Sequence, residues 1–120
     1  MSDGIRVAAI DDVEPGEALV LDTAVTATAE PISLFRDDDG TYYALDDTCS
    51  HQQASLSDGW IEDCHVECPL HSSRFDLRTG IPDVAPARKP VRSHAVRVQD
   101  GTIYVLESDA EPNLPPMGRR

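Results

Sequence analysis

The chain has 120 residues with 22 acidic against 10 basic side chains, a formal net charge of -12, and only three cysteines. That length is about one domain around one core, with no room for a second catalytic domain. The acidic balance excludes a phosphate-backbone partner, so nucleic acid is not expected.

No apolar run approaches the ~18 residues of a membrane span, so no membrane contact is expected. Met1-Ser2-Asp3-Gly4 lacks the basic start and apolar stretch of a secretory signal, which makes the cytoplasm the expected compartment. Residues 1–50 carry 12 acids against 2 bases, whereas 88–120 carry 4 against 6. Such an imbalance either keeps the chain soluble or steers it toward basic partner surfaces.

In chain order, short apolar runs and frequent turn signals predict strands over residues 5–8, 17–21, 24–27, 32–36 and 41–45. Later strands are expected over 60–62, 65–67, 91–98 and 102–106. Asp37-Asp38-Asp39-Gly40 and Gln99-Asp100-Gly101 read as hairpin turns, because an Asp-Gly pair tolerates the positive φ of a tight reversal. The aspartates of the first lack the twelve-residue spacing of a calcium loop. The expected fold class is all-β, a small antiparallel barrel or sandwich. Residues 46–87 change character, with cysteines, histidines, glycines and prolines replacing alternation, and read as an inserted site-bearing subdomain of a single domain 1–107. Residues 108–120, rich in proline, read as a tail.

Cys49-Ser50-His51 and Cys68-Pro69-Leu70-His71 each put a thiolate donor and an imidazole donor within one turn of backbone. Two sulfurs and two nitrogens suit a tetrahedral zinc or a [2Fe–2S] cluster with histidines on one iron. The odd cysteine count argues for such a site rather than a disulfide scaffold. The order Cys, His, Cys, His departs from the zinc-finger order of cysteines first and histidines last, which favours the cluster. Cys64 reads as a semi-buried thiol on a strand, and His94 as a sheet residue. His65 beside Cys64 is not expected to form a second metal site, because adjacent strand residues point to opposite faces. Trp60 reads as packing beneath the ligand loops.

The pattern C-x-H, sixteen residues, C-x-x-H resembles the signature of Rieske-type [2Fe–2S] proteins. Asp58-Gly59-Trp60, Arg74-Phe75-Asp76, Thr79-Gly80 and the proline-containing Val84-Ala85-Pro86-Ala87 are similar to the cluster-domain pattern of soluble bacterial Rieske ferredoxins. The resemblance implies the Rieske iron–sulfur fold and one [2Fe–2S] cluster per chain. Cys49 and Cys68 would hold the inner iron and His51 and His71 the outer. Ser73, Phe75, Trp60 and Pro86 would lie around the site, Pro86 in a third, covering loop.

Two ferric ions, two sulfides and two thiolates sum to zero, so accepting an electron is easier than in an all-cysteine cluster. In the respiratory branch of the family an extra cysteine pair forms a disulfide and a tyrosine donates to a ligand sulfur. Here those positions read Ala54, Leu70 and Phe75. Without the tyrosine hydroxyl donor the potential is expected near the low end of about -150 to +300 mV. Ser73 keeps a hydroxyl near the second loop, and Ser72 stands where the resembled pattern has glycine.

The resemblance therefore implies a monomeric one-electron carrier, not itself an enzyme, between a flavin-dependent reductase and an oxygenase of the aromatic-ring-hydroxylating kind. The alternatives are a small subunit of an NADH-dependent nitrite reductase and a structural zinc domain that binds proteins.

Overall fold

The structure, a computed structural model, describes residues 4–26, 28, 30–50, 54–69, 73–84 and 89–111. Among the described residues ten strands form two antiparallel sheets. The strands are β1 (Ile5–Ala9), β2 (Ala18–Leu21), β3 (Ile32–Arg36), β4 (Tyr42–Asp46), β5 (Trp60–Glu62), β6 (His65–Glu67), β7 (Arg74–Asp76), β8 (Pro82–Val84), β9 (Ser93–Gln99) and β10 (Thr102–Leu106). One sheet runs β1-β10-β9-β4-β3-β2 and the other β5-β6-β7-β8.

Strands β3 and β4 position everything else, because both of their faces are covered. Ile32, Leu34 and Ala44 face one apolar core with Ala8, Leu21, Ile103 and Val105. Phe35 and Leu45, one residue out of phase, face a second core with Leu56, Val66, Phe75, Leu77, Cys49 and Cys68. A strand buried on both faces reads as a continuous apolar run, and residues 32–35 are all buried. Ser33 is the polar exception, and its hydroxyl is used at the site described below.

The four-stranded sheet closes the second core. Registers Ile61↔Val66 and Val66↔Phe75 line its inner face, while Trp60↔Glu67↔Arg74 and Glu62↔His65↔Asp76 form rows on its outer face. Alternation thus sends Ile61 inward and Trp60 outward.

Both expected hairpin turns form. Asp37 donates its N–H to Thr41 O across 2.9 Å, and Asp100 (φ 53°) and Gly101 (φ 77°) give the two left-handed positions of a type I′ turn. Three expectations need correction. Of residues 24–27, expected as a strand, residue 27 lies outside the described residues and the first three belong to a short helix α1 (Thr23–Thr26). Asp22 caps it, its carboxylate accepting the Ala24 N–H at 2.8 Å and its carbonyl the Val25 and Thr26 N–H groups, so capping overrides the β-branched side chains. Cys64, expected on a strand, sits with Asp63 in the β5–β6 turn, at φ 62° and 53°. Strands β7 and β8 were not expected as strands; each is three residues long and is defined by its neighbours. Among the described residues no helix is long and apolar enough to cross a membrane.

Candidate metal centre

Two hairpins deliver the candidate sulfur ligands in the same way. In the first, Thr48 bridges Ser55, the Leu56 N–H reaches Asp47 O at 2.7 Å, and the Cys49 N–H reaches Ala54 O at 3.0 Å. In the second, Glu67 pairs with Arg74 and the Cys68 N–H reaches Ser73 O at 2.7 Å. Each cysteine is the first residue past the last paired position, and its N–H closes a turn to the carbonyl five residues on. Both cysteines are buried and in no disulfide, and both belong to the core under the four-stranded sheet. His51, Leu70, His71, Ser72 and Pro86 lie outside the described residues. Among the described residues no three His, Cys, Asp or Glu side chains could hold a metal ion.

Around the two cysteines, Phe75 and Ser73 are fully buried, Phe75 within the core that contains both thiols. Trp60, expected to pack beneath the loops, is instead 62% exposed. Its position on β5 sends the indole to the outer face, and Ile61 packs inward in its place.

Two adjacent aspartates at the base of the first hairpin, which pattern reading counted only as charge, prove structural. Asp46 accepts a bidentate pair from Arg92 (Nε to Oδ2, 2.8 Å; Nη2 to Oδ1, 3.2 Å) and a third bond from His94 Nε2 at 2.8 Å. Burial opposes its ionisation, but the His94 and Arg92 hydrogen bonds outweigh it and hold the carboxyl below its ordinary value. Asp47 Oδ1 accepts the hydroxyls of Ser33 and Ser55 and the Ser57 N–H. It therefore braces the strand before Cys49 against the segment after Ala54. The doublet Asp46-Asp47 just before Cys49 was the available sequence signal, but its partners lie up to 48 residues away.

Cys64 is separate from this arrangement. Burial pushes its thiol up, while the Tyr43 hydroxyl, hydrogen-bonded to it, is pushed up to about 12, chiefly by that bond. His65 Nε2 lies 3.2 Å from Asp83 and 3.9 Å from Asp76 on the outer face of the sheet.

Residues 4–95 match the family model of the Rieske [2Fe–2S] domain. The chain belongs to the Rieske [2Fe–2S] family. It is 46% identical over 82 residues to the anthranilate 1,2-dioxygenase ferredoxin subunit of Burkholderia cepacia (68% of this chain, 75% of that one). It is 39% identical over 104 residues to the 3-phenylpropionate/cinnamic acid dioxygenase ferredoxin subunit of Escherichia coli K12 (86% and 92%).

Among solved structures, the ferredoxin of carbazole 1,9a-dioxygenase from Nocardioides aromaticivorans IC177 superposes with a TM-score of 0.79. It is 37% identical, and the match covers 89% of this chain and 100% of that one. The ferredoxin in a complex of reduced oxygenase and oxidized ferredoxin of carbazole 1,9a-dioxygenase gives 0.75 at 34% identity, covering 84% and 99%. Two solved nitrite reductase small subunits are 21% and 24% identical and share the fold alone.

The cofactor of this Rieske domain is a single [2Fe–2S] cluster, which displaces the zinc reading, and the cluster supplies one-electron redox chemistry when bound. The donor set fits it: two buried cysteines outside any disulfide stand at equivalent positions of two hairpins in one apolar core, which excludes water from the sulfur side.

Proposed function

We propose that this chain is a soluble Rieske ferredoxin, the electron-transfer and not the catalytic component of a ring-hydroxylating oxygenase system. It takes one electron from a flavin-dependent reductase and gives it to the terminal oxygenase. The matched pair of cysteine hairpins carries this reading, because it accounts for the ligand spacing with two equivalent backbone turns. The relatives named above at more than one-third identity are ferredoxins of dioxygenase systems, and one of them is seen in a complex with its oxygenase. These support the carrier over the nitrite reductase subunit.

In this reading Cys49 and Cys68 ligate the inner iron and His51 and His71 the outer, with Ser73, Phe75 and Pro86 around them. Residues 46–87 form the cluster-binding part of a single domain 1–107, and the protein works as a cytoplasmic monomer. The net charge of -12 favours basic docking surfaces, with an attraction screened over about 10 Å at 0.1 M salt.

The test is anaerobic purification followed by iron, sulfide and zinc analysis with visible spectroscopy, then stopped-flow reduction by a flavin reductase. Two irons and two sulfides per chain and one-electron reduction are expected. A colourless protein holding one zinc overturns the reading. Replacing His51 or His71 with a non-ligating residue abolishes the Rieske-type spectrum; its survival refutes the ligand roles.

A further inference from the structure

Asp46 and Asp47 are both buried, at 2% and 6% exposure, yet their charges are met differently. Asp46 faces a guanidinium and an imidazole. Among the described residues, the side-chain donors to Asp47 are the Ser33 and Ser55 hydroxyls, and its backbone donor is the Ser57 N–H. All three converge on one carboxylate oxygen, and all are neutral. They satisfy its lone pairs without cancelling its charge.

The Thr48↔Ser55 bridge is flanked by the Leu56 N–H to Asp47 O and Cys49 N–H to Ala54 O bonds, and the chain bends at Asp47 as it leaves β4. Asp47 and Cys49 therefore flank Thr48 on one arm of the hairpin, two residues or about 7 Å apart along the chain. A charge there works through protein rather than water, where the effective dielectric constant is about 20 and not 80.

We propose that Asp47 is a potential-setting residue: its buried carboxylate, met by neutral donors among the described residues, stands beside the Cys49 ligand hairpin, opposes the extra negative charge of reduction and holds the potential of the centre low. This rests on the Rieske ferredoxin reading with Cys49 as a ligand. It differs from the general effect of an acidic chain. The remaining acids are largely at the surface, where salt screens them, whereas Asp47 is shielded from the ionic atmosphere by the serines and strands around it.

The test is a spectroelectrochemical redox titration of the holoprotein at about 0.1 M and about 1 M salt, concentrations that take the screening length from ~10 to ~3 Å. Asp47→Asn keeps the shape and an oxygen for the Ser57 N–H but removes the charge. The reduction equilibrium should shift toward the reduced form by about tenfold, ~59 mV for a one-electron couple, equally at both salt concentrations. Glu62→Gln, on the exposed outer face of β5, should shift it less, and the shift should vanish at high salt. Ser55→Ala keeps the Asp47 charge and removes one donor dipole, so the potential should move in the opposite direction.

An Asp47→Asn protein with an intact Rieske-type spectrum and an unmoved potential overturns the proposal, as does a shift that disappears at high salt. If Asp47→Asn does not retain the cluster, an unmoved potential in Ser55→Ala overturns it instead. A wild-type protein without an iron–sulfur spectrum refutes the ferredoxin reading itself, a result distinct from any of these.

Discussion

His94 Nε2 lies 2.8 Å from Asp46 Oδ1 while its other ring nitrogen, Nδ1, accepts the Ser108 N–H at 2.9 Å. A backbone N–H can only donate, so Nδ1 carries no proton and the ring is fixed as the Nε2–H tautomer. Arg92 joins the same carboxylate and extends Nη1 to Glu107 Oε2 at 3.3 Å and to Ala110 O at 3.2 Å. The network ties the end of β4, just before the first cysteine hairpin, to β9 and to the segment that follows β10.

Asp46→Asn therefore removes the charge and turns one of the two acceptor oxygens into an NH2 donor, which leaves a buried guanidinium poorly met. Breaking one side of such a buried pair costs about 3 to 5 kcal/mol. Because the Asp46 carboxyl is held below its ordinary value, its contribution is complete above the unfolded carboxyl value near 3.9 and is lost as pH falls below it. Urea titrations of the holoprotein from neutral to acid pH should show this loss in the wild type and a flatter acid limb in the variant. Equal acid limbs would rule out the linkage.

Tyr43 should titrate apart from the other two tyrosines. Its hydroxyl is pushed up to about 12, first by the bond to Cys64 and then by burial, and a raised phenol favours the folded state below about pH 10 and loses that contribution as pH passes its folded value. Ultraviolet titration should resolve one late-ionising phenol in the wild type. In Cys64→Ala it should move back toward the ordinary value, and no movement would disprove the bond as the cause.

Gly59 and Gly101 are glycines for different reasons. A Cβ on Gly59 would stand 1.9 Å from Glu67 O, whereas one on Gly101 meets nothing within 4 Å. Gly59→Ala must push apart the backbones of the segment entering β5 and the residue before Cys68. Strain and lost packing of this kind reach about 3 kcal/mol or more. Gly101→Ala meets only the cost of its φ of 77°, of order 1 kcal/mol. Denaturation midpoints that rank the two in reverse would contradict the close approach.

Phe75→Ala should cost about 3 to 5 kcal/mol, because the ring is fully buried in the core that holds Cys49 and Cys68. The cavity also opens the sulfur side of the site. Iron release to a chelator, followed by bleaching of visible absorption, should accelerate beyond what a destabilised but intact core gives, as in Val66→Ala on the neighbouring strand β6.

Strands β3 and β10 could be read from local residues, β3 from an unbroken apolar run and β10 from alternation. The Asp-Gly hairpin turns were legible because a positive φ is a single-residue requirement. Thr23–Thr26 was misread because Val25 and Thr26 carry β-branched side chains and the Asp22 cap decides the outcome. Strands β7 and β8 are too short to carry a period of their own. Trp60 was assigned to the wrong face because the register that sends Ile61 inward depends on Val66 and Phe75 across the sheet.

The order and spacing of the cysteine and histidine pairs fixed the cofactor class in the sequence, because ligand chemistry depends on residue type and a short span of chain. The fold decided how the charges around them act. Asp46 and Asp47 are adjacent and chemically identical, yet among the described residues one meets Arg92 and His94 and the other serine hydroxyls and an amide. Their partners come from other strands and loops, and an interior charge acts through whatever tertiary packing places beside it.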